Sequence, residues 1–172
     1  MLKYLLGDAT DPIKKPAIIA HVCNDIGLMG SGFVVPLYTK NPKVKSEYVR
    51  WYRDTQEGLA KPPLRLGEVQ VLEFQKDVLV ANMIAQQETI RTNRHPLKYE
   101  ALDTCLLSVY EKAVSSGLSV HMPRIGAERA GGTWSEIEKV ILKVIAKFPV
   151  ESYVYTLPDE TWKWLETTYE TL

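Results

Sequence analysis

Short apolar runs alternate with amphipathic stretches along the chain. The runs at 2–6, 17–22, 68–74, 78–84, 118–123 and 152–157 are rich in Val, Ile, Leu or Tyr, and several are apolar on both faces, as in "AIIAHV" and "VLVANMI". Such strands suit a sheet covered by helices on each side rather than one exposed to water. Helical spacing fills the intervals. Over 134–148 the apolar positions Ile137, Val140, Ile141, Val144, Ile145 and Phe148 recur at helical spacing. Just before them, "TWSE" predicts a capping box, with Thr133 as N-cap and Glu136 reaching back to it. A second helix is predicted over 99–115, with Leu102, Leu106, Val109 and Ala113 on one face and Gly117 just past its end. A third, over 44–57, is stopped by Gly58 and "KPP", while "FVVPLYTK" suggests a short helix and "FQKDV" a tight hairpin turn. After Pro158, Trp162, Leu165 and Tyr169 stand at helical spacing and predict a short terminal helix.

Strands mixed with helices in this order predict an α/β fold, a three-layer α/β/α sandwich with a central mixed sheet. The 172 residues fit one domain, since a chain of this length buries roughly 70% of the surface it exposes when unfolded. The expected organisation is a domain over 1–157 with a C-terminal helical extension over 158–172 packed on it. Composition narrows the partners. The 21 basic and 21 acidic side chains balance, which weighs against extended nucleic-acid binding, a task that draws on clustered Lys and Arg. Cys23 and Cys105 have no zinc-ligand spacing, so neither metal nor cofactor is expected. The start "MLKYLLGDAT" meets a Gly-Asp turn too early for a signal peptide. No apolar run approaches the ~20 residues of a membrane span, so the expected location is cytoplasmic, away from membranes.

Two loops are placed to carry chemistry. In α/β sheets ligands bind at the carboxyl ends of strands, where the chain turns into helices and main-chain amides face outward. "NDIGLMGSGF" (24–33) and "RIGAERAGGTW" (124–134) both have that setting. Their glycines either make room for a phosphate or permit tight turns, and two such loops on one edge favour a diphosphate gripped from both sides. The glycine spacing of a triphosphate-binding loop is present from Gly27 to Gly32, but Phe33 replaces the lysine and no Ser or Thr follows, which disfavours an NTPase. No GxGxxG fingerprint opens the first βα turn, so a dinucleotide-binding domain has little support. Asp8, in "LLGDAT", can accept a hydrogen bond from an adenine amino group or serve as a turn residue.

The ordered set of "GDA", "AHVCNDIGLMGSG", "VANMI", "YEAL" and "VHMPRIGAERAGGTW" resembles the macrodomain family. The likeness is greatest to its branch of terminal ADP-ribose glycohydrolases and phosphatase-like members. It covers roughly residues 1–157 and implies ADP-ribose, or an ADP-ribosylated molecule, as the ligand. It further implies that Asp8 recognises adenine with Ala9 beside it, and that Tyr155 packs near the base. Gly30, Ser31, Gly32 and Phe33, with Asn24 nearby, would hold one side of the diphosphate and distal ribose. Gly126, Ala127, Glu128, Arg129, Ala130 and Gly131 would form the other wall, with Arg129 either offering charge to a phosphate or lying in solvent.

Catalysis is where the chain departs from the resemblance. The lysine and aspartate of the glycohydrolase branch fall at Gln86 and Ala130, and neither an amide nor a methyl group can run a Schiff-base mechanism. Arg91, His95 and Lys98 are either displaced substitutes or surface polar residues. His21 and Asp25 are the candidate catalytic pair, acting on a ribose 1″-phosphate or an ADP-ribosylated target as phosphatase-like members do, although a histidine ending an apolar strand also reads as a hydrogen-bonded core residue. The competing function is a non-catalytic protein-interaction module that uses the Trp162/Trp164 tail.

Overall fold

The computed structural model describes residues 1–127 and 129–158. Its six strands are β1 (Leu2–Leu6), β2 (Ala17–Asn24), β3 (Val69–Gln75), β4 (Val78–Gln86), β5 (Ser119–Pro123) and β6 (Ser152–Thr156). They form one sheet in the order β1-β6-β5-β2-β4-β3. Every pairing is parallel except that of β3 with β4. That antiparallel pair is the predicted hairpin, turning at Lys76 and Asp77, where Asp77 adopts φ 58. Aspartate tolerates this left-handed conformation better than most residues because its short side chain can bond locally.

Helices α1 (Val34–Lys40) and α2 (Lys43–Gln56) cover one face, and α3 (Tyr99–Ser116) and α4 (Trp134–Lys147) cover the other. The strand period of two sorts the side chains. Ile18, Ala20, Ala81, Met83, Val120, Met122 and Val154 join the core under α3 and α4. Ala17, Ile19, Cys23, Val78, Val80 and Ile84 pack under α1 and α2. This is the three-layer α/β/α sandwich with a mixed sheet that the polarity pattern predicts. The predicted terminal helix, with Trp162, Trp164, Leu165 and Tyr169, lies outside the described residues, as does Glu128. No helix among the described residues is long and apolar enough to cross a membrane.

Two details differ from the sequence reading. Strands β2 and β4 each run two residues further, because a bulge after Cys23 brings Asn24 opposite Gln86 and lets Asp25 N–H donate to Gln86 O at 2.9 Å. The capping box before α4 does not form. Thr133 is the N-cap, but its N–H donates to the Tyr99 hydroxyl at 3.0 Å. With that donor taken, Glu136 has nothing to reach back for and instead accepts from Lys139 Nζ at 2.7 Å. The predicted C-terminal signal of α3 is present, with Gly117 capping at φ 64.

Candidate functional site

Strands β2 and β5 are parallel neighbours, so the loops that follow them leave the same edge side by side. They touch: Arg129 Nη1 donates to Ser31 Oγ at 3.2 Å. A third loop joins them. Residues 87–96 return through Gln87 N–H to Pro96 O at 2.8 Å, Leu97 N–H donates to Ala130 O at 2.9 Å, and Glu88 N–H donates to Asp25 Oδ1 at 2.8 Å. The segment 86–97 is therefore part of the site's frame, which its polar composition did not reveal.

Asn24 organises the first loop. Its Oδ1 accepts from the amides of Ile26 and Leu28 at 3.1 Å and from the Tyr48 hydroxyl at 2.9 Å, while its Nδ2 donates to Leu28 O at 2.6 Å. The glycines divide by task. A Cβ on Gly27 would lie 2.5 Å from the Tyr52 ring, and one on Gly32 2.9 Å from Arg129 Cδ, whereas one on Gly30 would meet nothing within 4 Å. Gly27 thus seats α2 against the loop, Gly32 admits the arginine stem, and Gly30 faces open space. In the second loop a Cβ on Gly126 would meet Leu97 and Ile137 at 3.0–3.4 Å, so that glycine serves packing as well. Ala127 is half-buried and Ala130 buried, while Gly131 lies against Arg94 O and Pro96 of the third loop.

The main-chain amides are the notable common feature. Among the described residues, those of Gly30, Ser31, Gly32 and Phe33 in the first loop and of Arg129, Ala130 and Gly131 in the second donate to no protein acceptor. Clustered amides of this kind form concavities suited to anions.

Beside them runs the segment after β1. Asp8 Oδ1 accepts from Thr10 N–H at 2.8 Å, and its Oδ2 lies 3.7 Å from Lys40 Nζ. Ala9 packs with Tyr153, Tyr155, Leu5 and Phe33. Tyr155 is buried and spans two partners: its hydroxyl accepts from Ile13 N–H at 3.2 Å and lies 2.8 Å from His121 Nδ1. Ser119 Oγ gives its proton to Pro16 O at 3.2 Å, so it accepts from His121 Nε2–H at 2.8 Å, and Nδ1 then accepts from the Tyr155 hydroxyl. Tyr155 therefore supports the Asp8 segment from beneath, through a bond network absent from any local sequence signal.

His21 and Asp25 are not brought together as an exposed pair. His21 is 2% exposed, and its Nε2–H donates to Asn82 Oδ1 at 2.5 Å. Asn82 Nδ2 passes the network to Gln70 Oε1 at 3.0 Å. Burial lowers the His21 pKa to about 4, against a smaller upward pull from Asn82, so the ring is neutral near pH 7. It sits under Phe33, ring centroids 5.9 Å apart. Asp25, half-buried, keeps one carboxylate oxygen on the Glu88 amide. At the positions where the resemblance implies that a lysine and an aspartate are replaced, Gln86 Nε2 donates to Glu88 O at 2.9 Å and Ala130 offers only a methyl group. Arg91 and His95 are exposed on the third loop, where Lys98 Nζ donates to His95 O at 3.2 Å. No cluster of three or more His, Cys, Asp or Glu among the described residues could hold a metal ion.

Two open depressions lie at the opposite edge, one lined by Lys14, Leu118 and Glu151, the other by Asn41, Phe74 and Asp77 among others. They sit at the amino ends of the parallel strands, the edge that ligands of such sheets do not use.

No protein-family model matches the chain. Known proteins do. A macrodomain protein from Streptomyces coelicolor, of known structure, is 38% identical with a TM-score of 0.78, the match covering 91% of this chain and 99% of that one. The zebrafish (Danio rerio) chromodomain-helicase-DNA-binding protein 1-like is 30% identical over 161 residues, 90% of this chain. The chain spans only 15% of that relative's length and 18% of its mouse counterpart's. The ADP-ribose 1″-phosphate phosphatase of Candida albicans is 25% identical over 150 residues, covering 82% of this chain and 92% of that protein.

Proposed function

Because the chain belongs to the macrodomain family, we propose that its joined loops bind ADP-ribose, free or attached to a modified molecule. The diphosphate lies against the unpartnered amides of residues 30–33 and 129–131, and the adenosine end lies toward Asp8 and Ala9. One observation carries this reading: seven main-chain donors without acceptors among the described residues stand on two loops that leave adjacent parallel strands and touch each other. The name of the Candida albicans relative supports the choice of ligand.

Isothermal titration with ADP-ribose, AMP and ATP tests it, and ADP-ribose should bind tightest. Gly30→Glu is the discriminating variant, because a side chain there meets nothing within 4 Å. It should leave the melting temperature unchanged and weaken ADP-ribose at least about tenfold by placing bulk and like charge in the phosphate path. Absence of heat with ADP-ribose, or full binding by Gly30→Glu, would remove the proposal.

A second reading adds hydrolysis of an ADP-ribose derivative, and Asp25 favours it. The carboxylate is fixed on the Glu88 amide at the mouth of the first loop, where it can orient a water. His21, neutral and bound to Asn82, takes the positioning role beneath Phe33 rather than that of acid or base. Release of phosphate from ADP-ribose 1″-phosphate, lost in Asp25→Asn and retained in His21→Gln, is the expected outcome. No release over long incubation leaves a binder.

A further inference from the structure

We propose that Arg129 is a latch that closes the site in the free protein and changes partner when ligand enters, so that it sets the preference for phosphate-rich ligands. The proposal rests on the ADP-ribose reading and names a specificity residue within it. Of the second loop's arginines, Arg124 is committed: its Nε donates to Thr156 Oγ1 at 3.1 Å, and its guanidinium lies 5.6 Å from the Tyr4 ring centroid and 5.0 Å from that of Trp134. Arg129 is exposed and crosses to the other loop. Its stem lies flat on Gly32, where a Cβ would stand 2.9 Å from Cδ and 3.0 Å from Nε. Its Nη1 ends on the Ser31 hydroxyl at 3.2 Å. The guanidinium therefore spans the mouth between two sets of unpartnered amides.

That resting bond is weak by nature. Ser31 is an exposed, neutral acceptor, and the bond to it competes with water. A diphosphate seated on the same amides presents charged oxygens in a geometry a guanidinium can bridge, and such bonds are shorter and roughly twice as strong. The arginine then exchanges one neutral acceptor for anionic ones. Ser31 Oγ and the phosphates compete for a single side chain, so the two residues should respond to truncation with opposite signs.

The test is titration of ADP-ribose and AMP into the wild type and the Ser31→Ala, Arg129→Ala and Arg129→Lys variants, with melting temperatures recorded alongside. Ser31→Ala keeps its main-chain amide and frees the latch, so it should bind ADP-ribose two- to threefold tighter. Arg129→Ala should bind it at least tenfold weaker and AMP less affected, with Arg129→Lys between. Weaker or unchanged binding by Ser31→Ala overturns the latch, as does unchanged binding by Arg129→Ala, while wild-type binding of ADP-ribose still upholds the ligand assignment. No binding by the wild type removes both.

Discussion

The two faces of the sheet are built on different physics. Under α3 and α4 the strands present mostly apolar residues, Ile18, Ala20, Ala81, Met83, Val120, Met122 and Val154, whose burial stabilises without direction, with one buried polar contact between Tyr110 and Ser152 Oγ at 2.7 Å. On the opposite face, under α1, α2, the first loop and the segment after β1, the strands also present His21, Asn82, Ser119, His121, Tyr153 and Tyr155. Here each polar group is tied to a partner: His21 to Asn82 and on to Gln70, His121 to both Ser119 and Tyr155, and Tyr153 to Glu151. His121 also stacks on Tyr153, ring centroids 4.7 Å apart. An apolar face tolerates small slides, but a buried hydrogen-bonded face holds one arrangement because any lapse strands a desolvated group. The directional face is the one beneath Phe33 and the Asp8 segment, so the floor of the site is its most rigidly specified part.

Acid should separate the faces most strongly. Burial holds both His21 and His121 at about 4, below the usual histidine value of 6.5. As pH falls below 6.5 the unfolded chain takes up protons that the folded chain refuses, so stability is full above that value and declines toward pH 4. Each histidine contributes up to about 3 kcal/mol to the loss. Urea midpoints at pH 7.5, 5.5 and 4.5 check this, and a flat profile between 6.5 and 4.5 would contradict the picture of neutral buried rings. Next in size is Asn82→Leu, which strands both His21 and Gln70 and should cost about 3 kcal/mol. Its neighbour on the opposite face, Met83→Leu, should cost under about 1.5 kcal/mol. Equal losses in urea denaturation would erase the contrast between the faces. Gly27→Ala should destabilise by about 2 kcal/mol, because φ 72 and the Tyr52 ring both oppose a methyl group. Smallest is Glu136→Ala, within about 0.5 kcal/mol by thermal melting, since the predicted cap is not made.

Much of the fold was legible because apolar runs and helical stripes record burial directly. The site was legible to the level of its loops, since glycines beside strand ends are a local signal. What each glycine does was not, because Tyr52, Arg129 and Leu97 come from distant segments. Asn24 shows the same limit: the resemblance implies that it lies near a ligand but gives no sign that its amide is bonded to Ile26, Leu28 and Tyr48. One missed signal was present. Asn82 interrupts an otherwise apolar strand in "VLVANMI", and a polar residue in such a run needs a buried partner. Pairing it with His21, which also breaks an apolar strand, would have anticipated the bond between them. The Thr133–Glu136 signature misled because a local motif cannot register that Tyr99 already occupies the amide.

The two cysteines divide between the faces, Cys23 under the first loop and Cys105 on α3 where it meets the sheet, and both thiols are buried with their pKa values pushed up. Neither reacts as a thiolate while its surroundings stay closed. Pulses of an alkylating reagent would consequently clock the opening of each side of the sheet separately, with peptide mass mapping assigning the label. A slower Cys23 clock in the presence of a nucleotide sugar would turn occupancy of the rim into a covalent record.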